Sequence, residues 1–388
     1  MSESVEAERP LQTPNGVADY DLHGLAGVRL VGARPQDVAA VGHQLGGIRG
    51  TLGREPDILI RFVDNLPLAG ARLLGAKEAA FTDDAFLVLR SKHKTSARVS
   101  IPLADVGGQC EIVCERGLPA VPLLIPILNL TVLARGALPL HASAFLHSDL
   151  GVVATGWSKG GKTETLLAFA AHGARYVGDE WVYVDLEHGT VVGIPEAVRL
   201  WDWHLDQLPD RVVPAARRMR LRLGRLVVST ADRLTRDGTS SAAPARLLRR
   251  STHLVEGQLH VDVPPAVLFG TASSAEAPFD RLLFVASHES PEIVVEPVDP
   301  LEVARRMAFS LAFERRDLSA HYAMYRFAFP DTVNPVLERV GELEREALER
   351  AFAGKPAFAV RHPYPVSFER LYEALEPFCD AGGGRNDA

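Results

Sequence analysis

Between about Asp19 and Ala134 the chain repeats one pattern, in which short apolar runs are separated by clusters of turn residues. The runs are Val28–Val31, Ile58–Val63, Phe86–Leu89 and Ile112–Cys114. Their length and their Gly, Pro, Asn and Asp borders predict strands with few helices. The pattern then changes. LHASAFLH, SDLG and VVATG read as two apolar segments around a tight polar turn, a predicted β-hairpin. The second segment enters a glycine-rich turn, and ETLLAFAAHG follows with Leu166, Leu167, Phe169 and Ala170 on one helical face and Gly173 placed to end the helix. ARYVGDEWVYVD gives two strand-like runs around Gly178, Asp179 and Glu180, then LEHGT a turn, and LLFVAS a buried strand. From Pro300 the spacing becomes helical: LEVARRMAFSLAFERR, then NPVLERVGELEREALERAFAG, whose apolar face is Val336, Leu337, Val340, Leu343, Ala347, Leu348 and Phe352.

Two segments need chemistry to interpret. Leu118–Ala134 is uncharged, but Pro119, Pro122, Pro126 and Asn129 interrupt it, so it predicts a buried core segment and not a membrane span. Arginines are dense between Arg211 and Arg250. Such a run predicts a solvated face, or else a contact with phosphate or an acidic partner; RDGTSSAAPA within it predicts a mobile loop.

Composition narrows the class. The chain has 388 residues, 47% hydrophobic and 23% charged, as in soluble globular proteins with room for several domains. A net charge of -7 argues against non-specific nucleic-acid binding. The three cysteines are too few for a disulfide framework, and Cys110 and Cys114 have no second pair at zinc-site spacing. With a polar, acidic N-terminus this predicts a cytoplasmic protein with no membrane contact. The expected division is a disordered segment 1–17, an N-terminal β-rich α/β domain 18–135, a catalytic domain 136–299 and a C-terminal helical region 300–388.

The glycine turn carries the candidate chemistry. Gly156, Gly161, Lys162 and Thr163 satisfy G-x-x-x-x-G-K-[ST], between a predicted strand and a predicted helix. Glycines let several backbone N–H groups face one oxyanion, and the helix N-terminus adds partial positive charge. Lys162 can reach β- and γ-phosphates, and the Thr163 hydroxyl can ligate Mg²⁺. The expected nucleotide-binding stretch is Gly156, Trp157, Ser158, Lys159, Gly160, Gly161, Lys162, Thr163 and Glu164. Asp179 and Glu180 follow one helix later, where the chain can return to the phosphate end. His141 is expected just ahead of the preceding strand. Trp201, Trp203 and His204 read either as packing or as a wall of an acceptor pocket.

HASAFLHSDLGVVATGWSKGGKTETLLAFAAHGARYVGDEWVYVD resembles the catalytic core of HPr kinase/phosphorylase. The matching elements are His141, the turn Gly156 to Glu164, His172-Gly173 and the acidic pair Asp179-Glu180, with similar gaps; the strong part covers some 50 to 60 residues (about that span). Divergent kinases of this kind include lasso-peptide kinases. The resemblance implies an α/β, phosphoenolpyruvate-carboxykinase-like P-loop kinase core using ATP and Mg²⁺. It implies Lys162 on the β- and γ-phosphates and Thr163 on Mg²⁺. Asp179 would be the acid that takes the acceptor's proton, Glu180 a second acid that helps with metal, and His141 an active-site histidine. Glu196 falls at a second metal-ligand position and Arg199 at a substrate position, with Trp201 and Trp203 near the acceptor. It also implies a homo-oligomer. The chain departs from the family at Trp157 (for Asp), Lys159 (for Gly), Thr163 (for Ser) and Glu180 (for Asp), and it shows no glycine-rich signature loop; phosphorolysis and HPr are therefore not carried over. The expected function is transfer of the γ-phosphoryl group to a hydroxyl of a peptide, protein or small molecule. Two alternatives stay open, a nucleotide-sensing ATPase and a binding module without a phosphoacceptor.

Overall fold

The computed structural model describes residues 16–90, 96–236, 259–270 and 276–380, with side chains of 226–236 left out. The protein is mixed α/β, built on two large sheets. The first holds β1 (Ala18–Leu22), β2 (Ala26–Val31), β3 (Ile58–Val63), β4 (Arg72–Leu74), β5 (Ala79–Phe81), β6 (Phe86–Arg90), β7 (Ser96–Ser100) and β8 (Cys110–Glu115), in the order β1-β2-β3-β8-β7-β6-β5-β4. The four runs predicted as strands fall in β2, β3, β6 and β8. β2, β3 and β8 are parallel, with the helix Pro35–Gln44 carrying the chain from β2 to β3.

The uncharged stretch forms a helix over Leu124–Ala134 that is buried nearly throughout. Its polar side chains are satisfied: Asn129 accepts from the Tyr183 hydroxyl at 3.0 Å, and Thr131 donates back to Ile127 O. Among the described residues no helix is long and apolar enough to cross a membrane.

The second sheet contains β9 (Ala137–His147), β10 (Leu150–Thr155), β11 (Arg175–Gly178), β12 (Trp181–Asp185), β13 (Thr190–Gly193), β16 (Glu276–Pro278), β17 (Arg281–His288), β18 (Val294–Pro297) and β19 (Ala357–Pro363). Its order is β16-β13-β12-β9-β10-β17-β19-β18, with β11 also on β9. A separate ribbon pairs β14 (Val198–Trp201) with β15 (His260–Val263). β9 and β10 make the predicted hairpin; Ser148 and Asp149 turn it with positive φ. β10, β17 and β19 run parallel.

β9 is buried at every position. Its even-numbered residues from Leu138 to Leu146 join the core shared with the first sheet and the helices Leu124–Ala134, Pro300–Glu314 and Pro335–Phe352. Its odd-numbered face meets the helix Lys162–Ala170, and Phe145 stacks on Phe169 at 4.7 Å. The layers are thus helix, sheet, helix.

One finding differs from expectation. The C-terminal region is helical over Pro300–Glu314, Arg316–Ala328 and Pro335–Phe352, but Ala357–Pro363 then inserts as β19 between β17 and β18. AFAVRHP is short and proline-flanked, so its helix-rich surroundings hide a strand. His141 lies in β9, the first strand of the predicted hairpin, ahead of β10. The segment 1–15 and most of the arginine-rich loop, 237–258, are outside the described residues. The described part of that run lies on the helix Ala215–Arg236, where Arg218, Arg222 and Arg225 pair with Asp210, Asp206 and Asp202.

Asn334 joins the N-terminal sheet to the C-terminal helices. Its side-chain oxygen caps the helix Pro335–Phe352 by accepting from Val336 N and Leu337 N, while Nδ2 donates to Leu103 O, Ala104 O and Val106 O at 2.8–3.0 Å. Asn334→Ala removes the cap and leaves buried carbonyls without a donor. It should cost about 3 kcal/mol, read as a lowered midpoint in chemical denaturation; an unchanged midpoint would show the junction to be solvated.

Candidate functional site

The site forms where β9 has neighbours on both edges. β10 pairs along one edge and ends at Thr155 opposite Ala142. On the other edge β11 pairs with Ala144–Leu146 and β12 with Ala137–His141, so the chain breaks between them at Asp179-Glu180, opposite Ala142. The acidic pair and the glycine turn are thereby brought to the same place on β9. Glu180 takes φ of +65°, a conformation L side chains rarely adopt, at this break.

The glycine turn leaves β10 at the C-terminal ends of the parallel strands, the edge at which open α/β sheets bind ligands. Its glycines are required by close approach. A Cβ on Gly156 would come within 2.2 Å of Val285 O, and one on Gly161 within 1.9 Å of His362 Nε2. His362, fully buried on β19, has Nε2 3.1 Å from Gly160 O and so supports the turn from below. The helix Lys162–Ala170 starts directly after Gly161.

Six side chains converge there. Lys162 is buried, and its Nζ donates to Trp157 O at 3.2 Å. Burial pulls its ammonium below the usual value, against the charges of Glu180, Asp179, Glu314 and Glu164. Thr163 Oγ1 donates to Asp179 Oδ2 at 3.1 Å, and Ser143, beside His141 on the same face of β9, donates to Asp179 Oδ1. Asp179 is 3% exposed; burial and the neighbouring Glu180 charge push its carboxyl up in spite of these donors. The Glu180 side chain is half open to solvent, and the hydrogen bond from His141 holds its carboxyl down. Of this pair, Glu180 is the readily ionised member.

His141 lies between two carboxylates. Nε2 is 3.0 Å from Glu180 Oε2, and Nδ1 is 3.3 Å from Glu314 Oε1, an ion-pair distance without hydrogen-bond alignment. Burial opposes its charge, but the two acids outweigh that and raise its pKa. Its ring stacks on Trp181 at 5.5 Å. Glu164 points the other way, with Oε1 3.1 Å from His204 Nε2. Because His204 Nδ1 accepts from Trp201 N, Nε2 carries the proton and donates to Glu164. His204 therefore has a structural task, and Trp203 packs beside it on Tyr364 and Phe368.

Glu196 lies near the acidic pair. Its Oε1 is buried with no hydrogen-bond partner, and burial with the charges of Glu180 and Asp179 pushes its carboxyl up to about 8. Such an orphaned oxygen is a place short of positive charge, which suits a cation. Among the described residues no three His, Cys, Asp or Glu side chains are gathered as a ready-made metal cage. Arg199 pairs with Asp262 at 3.0 Å across the β14–β15 ribbon, and its charge also helps to hold down the Glu180 carboxyl; Trp201 packs on His260. Ser158 and Lys159 lie within the turn, Lys159 with φ of +63°.

Sequence reasoning missed Ser143, Glu314 and His362. The H-x-S spacing in HAS, two residues apart on a strand, carries a signal for Ser143. Glu314 and His362 carry none, because only the fold returns them to β9 and the glycine turn. A cavity of about 410 Å³ beside His172, Arg211 and Phe368 has none of these residues in its walls.

A scan against protein-family models finds no match for the chain, and a search of curated proteins finds none.

Glu196 predicts a pH effect on the metal-free protein. Its folded carboxyl keeps a proton between about 4.5 and about 8 that the unfolded chain releases, so it contributes a loss of stability as pH rises through that window. Glu196→Gln removes this loss. Its thermal midpoint in a chelator should decline less than wild type from about pH 5 to pH 8; parallel curves would place the Glu196 carboxyl in ordinary solvent.

Proposed function

We propose that the protein is an ATP- and Mg²⁺-dependent kinase that transfers the γ-phosphoryl group to a hydroxyl of a peptide, protein or small molecule. We further propose that its core is the P-loop kinase core of HPr kinase/phosphorylase and phosphoenolpyruvate carboxykinase. One observation carries the reading: the Thr163 hydroxyl of the glycine turn meets the Asp179 carboxylate from the opposite edge of β9, at 3.1 Å. A hydroxyl next to the P-loop lysine, paired with a strand-borne carboxylate, is the arrangement that holds Mg²⁺ in P-loop enzymes. The antiparallel neighbour of the P-loop strand supports the carboxykinase-like core.

The chain's own groups divide the work. The backbone of Gly156–Gly161 and the Lys162 ammonium would bind the β- and γ-phosphates, and Lys162 would leave its internal bond to Trp157 O to do so. Thr163 and Asp179, with Glu196 near them, would hold Mg²⁺, which when bound neutralises charge on the transferring phosphoryl group. The resemblance gives the acceptor's proton to Asp179. Enclosure of Asp179 by two hydroxyl donors argues for a different division: Glu180, half exposed, orients the acceptor hydroxyl by accepting its hydrogen bond and takes the proton only as the new O–P bond forms, because a carboxyl held down by His141 is a weak base, and His141, with Glu314 beside it, fixes the Glu180 carboxylate.

The test is transfer from γ-labelled ATP to fractionated proteins, peptides and small molecules. Lys162→Ala should abolish nucleotide binding. Glu180→Gln should keep Mg²⁺·ATP binding and lower transfer by at least about a hundredfold. Asp179→Asn should lose the Mg²⁺ dependence of ATP binding together with transfer. Full transfer by Glu180→Gln would return the base to Asp179. Label found only as free phosphate, from wild type and not from Lys162→Ala, would replace the kinase with an ATPase.

A further inference from the structure

We infer that His362 is a positioning residue for phosphate binding: it turns the Gly160–Gly161 peptide so that the Gly161 N–H faces the anion. The inference rests on the proposal that the glycine turn holds nucleotide phosphates, and it names the device that keeps the turn in its binding form. His362 is fully buried, and its backbone is fixed by the pairing of β19 with β17, where it stands opposite Ser287. Its Nε2 lies 3.1 Å from Gly160 O and its Nδ1 2.8 Å from Pro363 O. Carbonyl oxygens only accept, so each contact is a hydrogen bond only when the nitrogen carries a proton, and both are bonds only in the imidazolium. Glu164, on the first turn of the helix beyond, is the buried carboxylate that meets this charge: burial opposes its ionised form, and the bond from His204 and the charge of His362 favour it.

The Gly160–Gly161 peptide needs such a clamp. With glycine on both sides it can turn over at little steric cost. The peptide is trans, and in a trans peptide the N–H and C=O point in opposite directions. A Gly160 carbonyl held towards β19 therefore sends the Gly161 N–H to the opposite face of the turn. The flanking groups are already engaged: Gly160 N donates to Trp157 O at 3.0 Å, and Gly161 O accepts from Thr165 N at 2.9 Å. Gly161 stands at the N-cap of the helix Lys162–Ala170, so its N–H joins the first amides of that helix, which have no carbonyl partner within it, as donors to one anion. Turned over, the peptide would set the Gly160 oxygen against the phosphate and the Gly161 N–H against a protonated Nε2. The ring also packs tightly on the turn, since a Cβ on Gly161 would lie 1.9 Å from Nε2 and 2.6 Å from Cε1.

Binding of Mg²⁺·tripolyphosphate and Mg²⁺·ATP to the full chain is measured by calorimetry for wild type, His362→Leu and His362→Gln, and the Gly161 amide is followed in nitrogen–proton spectra of glycine-labelled protein. Leu fills the space without a donor, whereas the Gln amide nitrogen stands at the ε position and can donate to Gly160 O. The expected result is an affinity for both ligands reduced about tenfold in His362→Leu and largely restored in His362→Gln. The Gly161 amide signal should move on addition of tripolyphosphate in wild type and in His362→Gln, and less in His362→Leu. The ring-nitrogen spectrum of wild type should show a proton on Nε2; a bare Nε2 would overturn the inference however the variants fold. Equal affinity in His362→Leu and wild type would overturn it, as would equal losses in both variants that track their loss of thermal stability, which would reduce His362 to packing. Failure of wild type to bind either ligand would overturn the inference together with the phosphate reading beneath it, whereas the other failures leave wild-type binding intact.

Discussion

The structure depends on how one buried ammonium is balanced. Lys162 is enclosed among Asp179, Glu180, Glu164 and Glu314, and burial works against its charge while those acids work for it. Carboxylates outnumber the cation, so the surrounding groups are arranged to limit the repulsion. Ser143 and Thr163 donate to Asp179, His141 links Glu180 to Glu314, and His204 draws Glu164 to the far side of the helix. Glu196 is left without such a partner, and burial, with the charges of Glu180 and Asp179, raises its pKa. On the kinase proposal, such a site would gain when a phosphate met the lysine and a divalent cation met the acids together, because each ligand would remove part of the imbalance the other would worsen.

The scaffold that holds this balance is assembled from distant parts of the chain. β9 aligns the glycine turn with the acidic pair, but β19 places His362 under the turn and the helix Pro300–Glu314 brings Glu314 and Phe313 over it. The N-terminal sheet also reaches the site. A Cβ on Gly46 would come within 2.7 Å of Pro195, and His23 Nε2 is 3.2 Å from Gly193 O, so the turn after β1 and the segment after the helix Pro35–Gln44 pack on the stretch that leads to Glu196.

What could be read from the sequence followed the range of the forces involved. Local signals carried the strands Ile58–Val63 and Phe86–Arg90, the hairpin at Ser148-Asp149, the glycine turn and the two C-terminal amphipathic helices, because alternation, turn chemistry and capping act over a few residues. β19 and the contacts of His362, Glu314 and Phe313 were not legible, since sequence spacing says nothing about which remote element will return to a strand. The resemblance singles out His141 and the hairpin pattern places it on a strand, yet its bond to Glu180 depends on the register of β9 against β12. Glu180 is a further case: nothing in a DE pair announces a left-handed backbone that turns one acid outward and leaves the other enclosed.

That turn in the backbone separates the roles of two adjacent carboxylates. Had Asp179 and Glu180 both continued a regular strand, they would point to opposite faces of the sheet, and only one would meet the glycine turn. The break between β11 and β12 brings both to the same edge but gives them different surroundings, enclosed hydroxyl donors for Asp179 and an imidazole with open solvent for Glu180. Their pKa values are driven apart by that contrast, Asp179 pushed up by its burial and the Glu180 charge and Glu180 held down by the hydrogen bond from His141. The longer side chain at 180 fits the same logic. Glu reaches one methylene further than Asp, which lets the carboxylate contact His141 while its backbone stays at the break opposite Ala142.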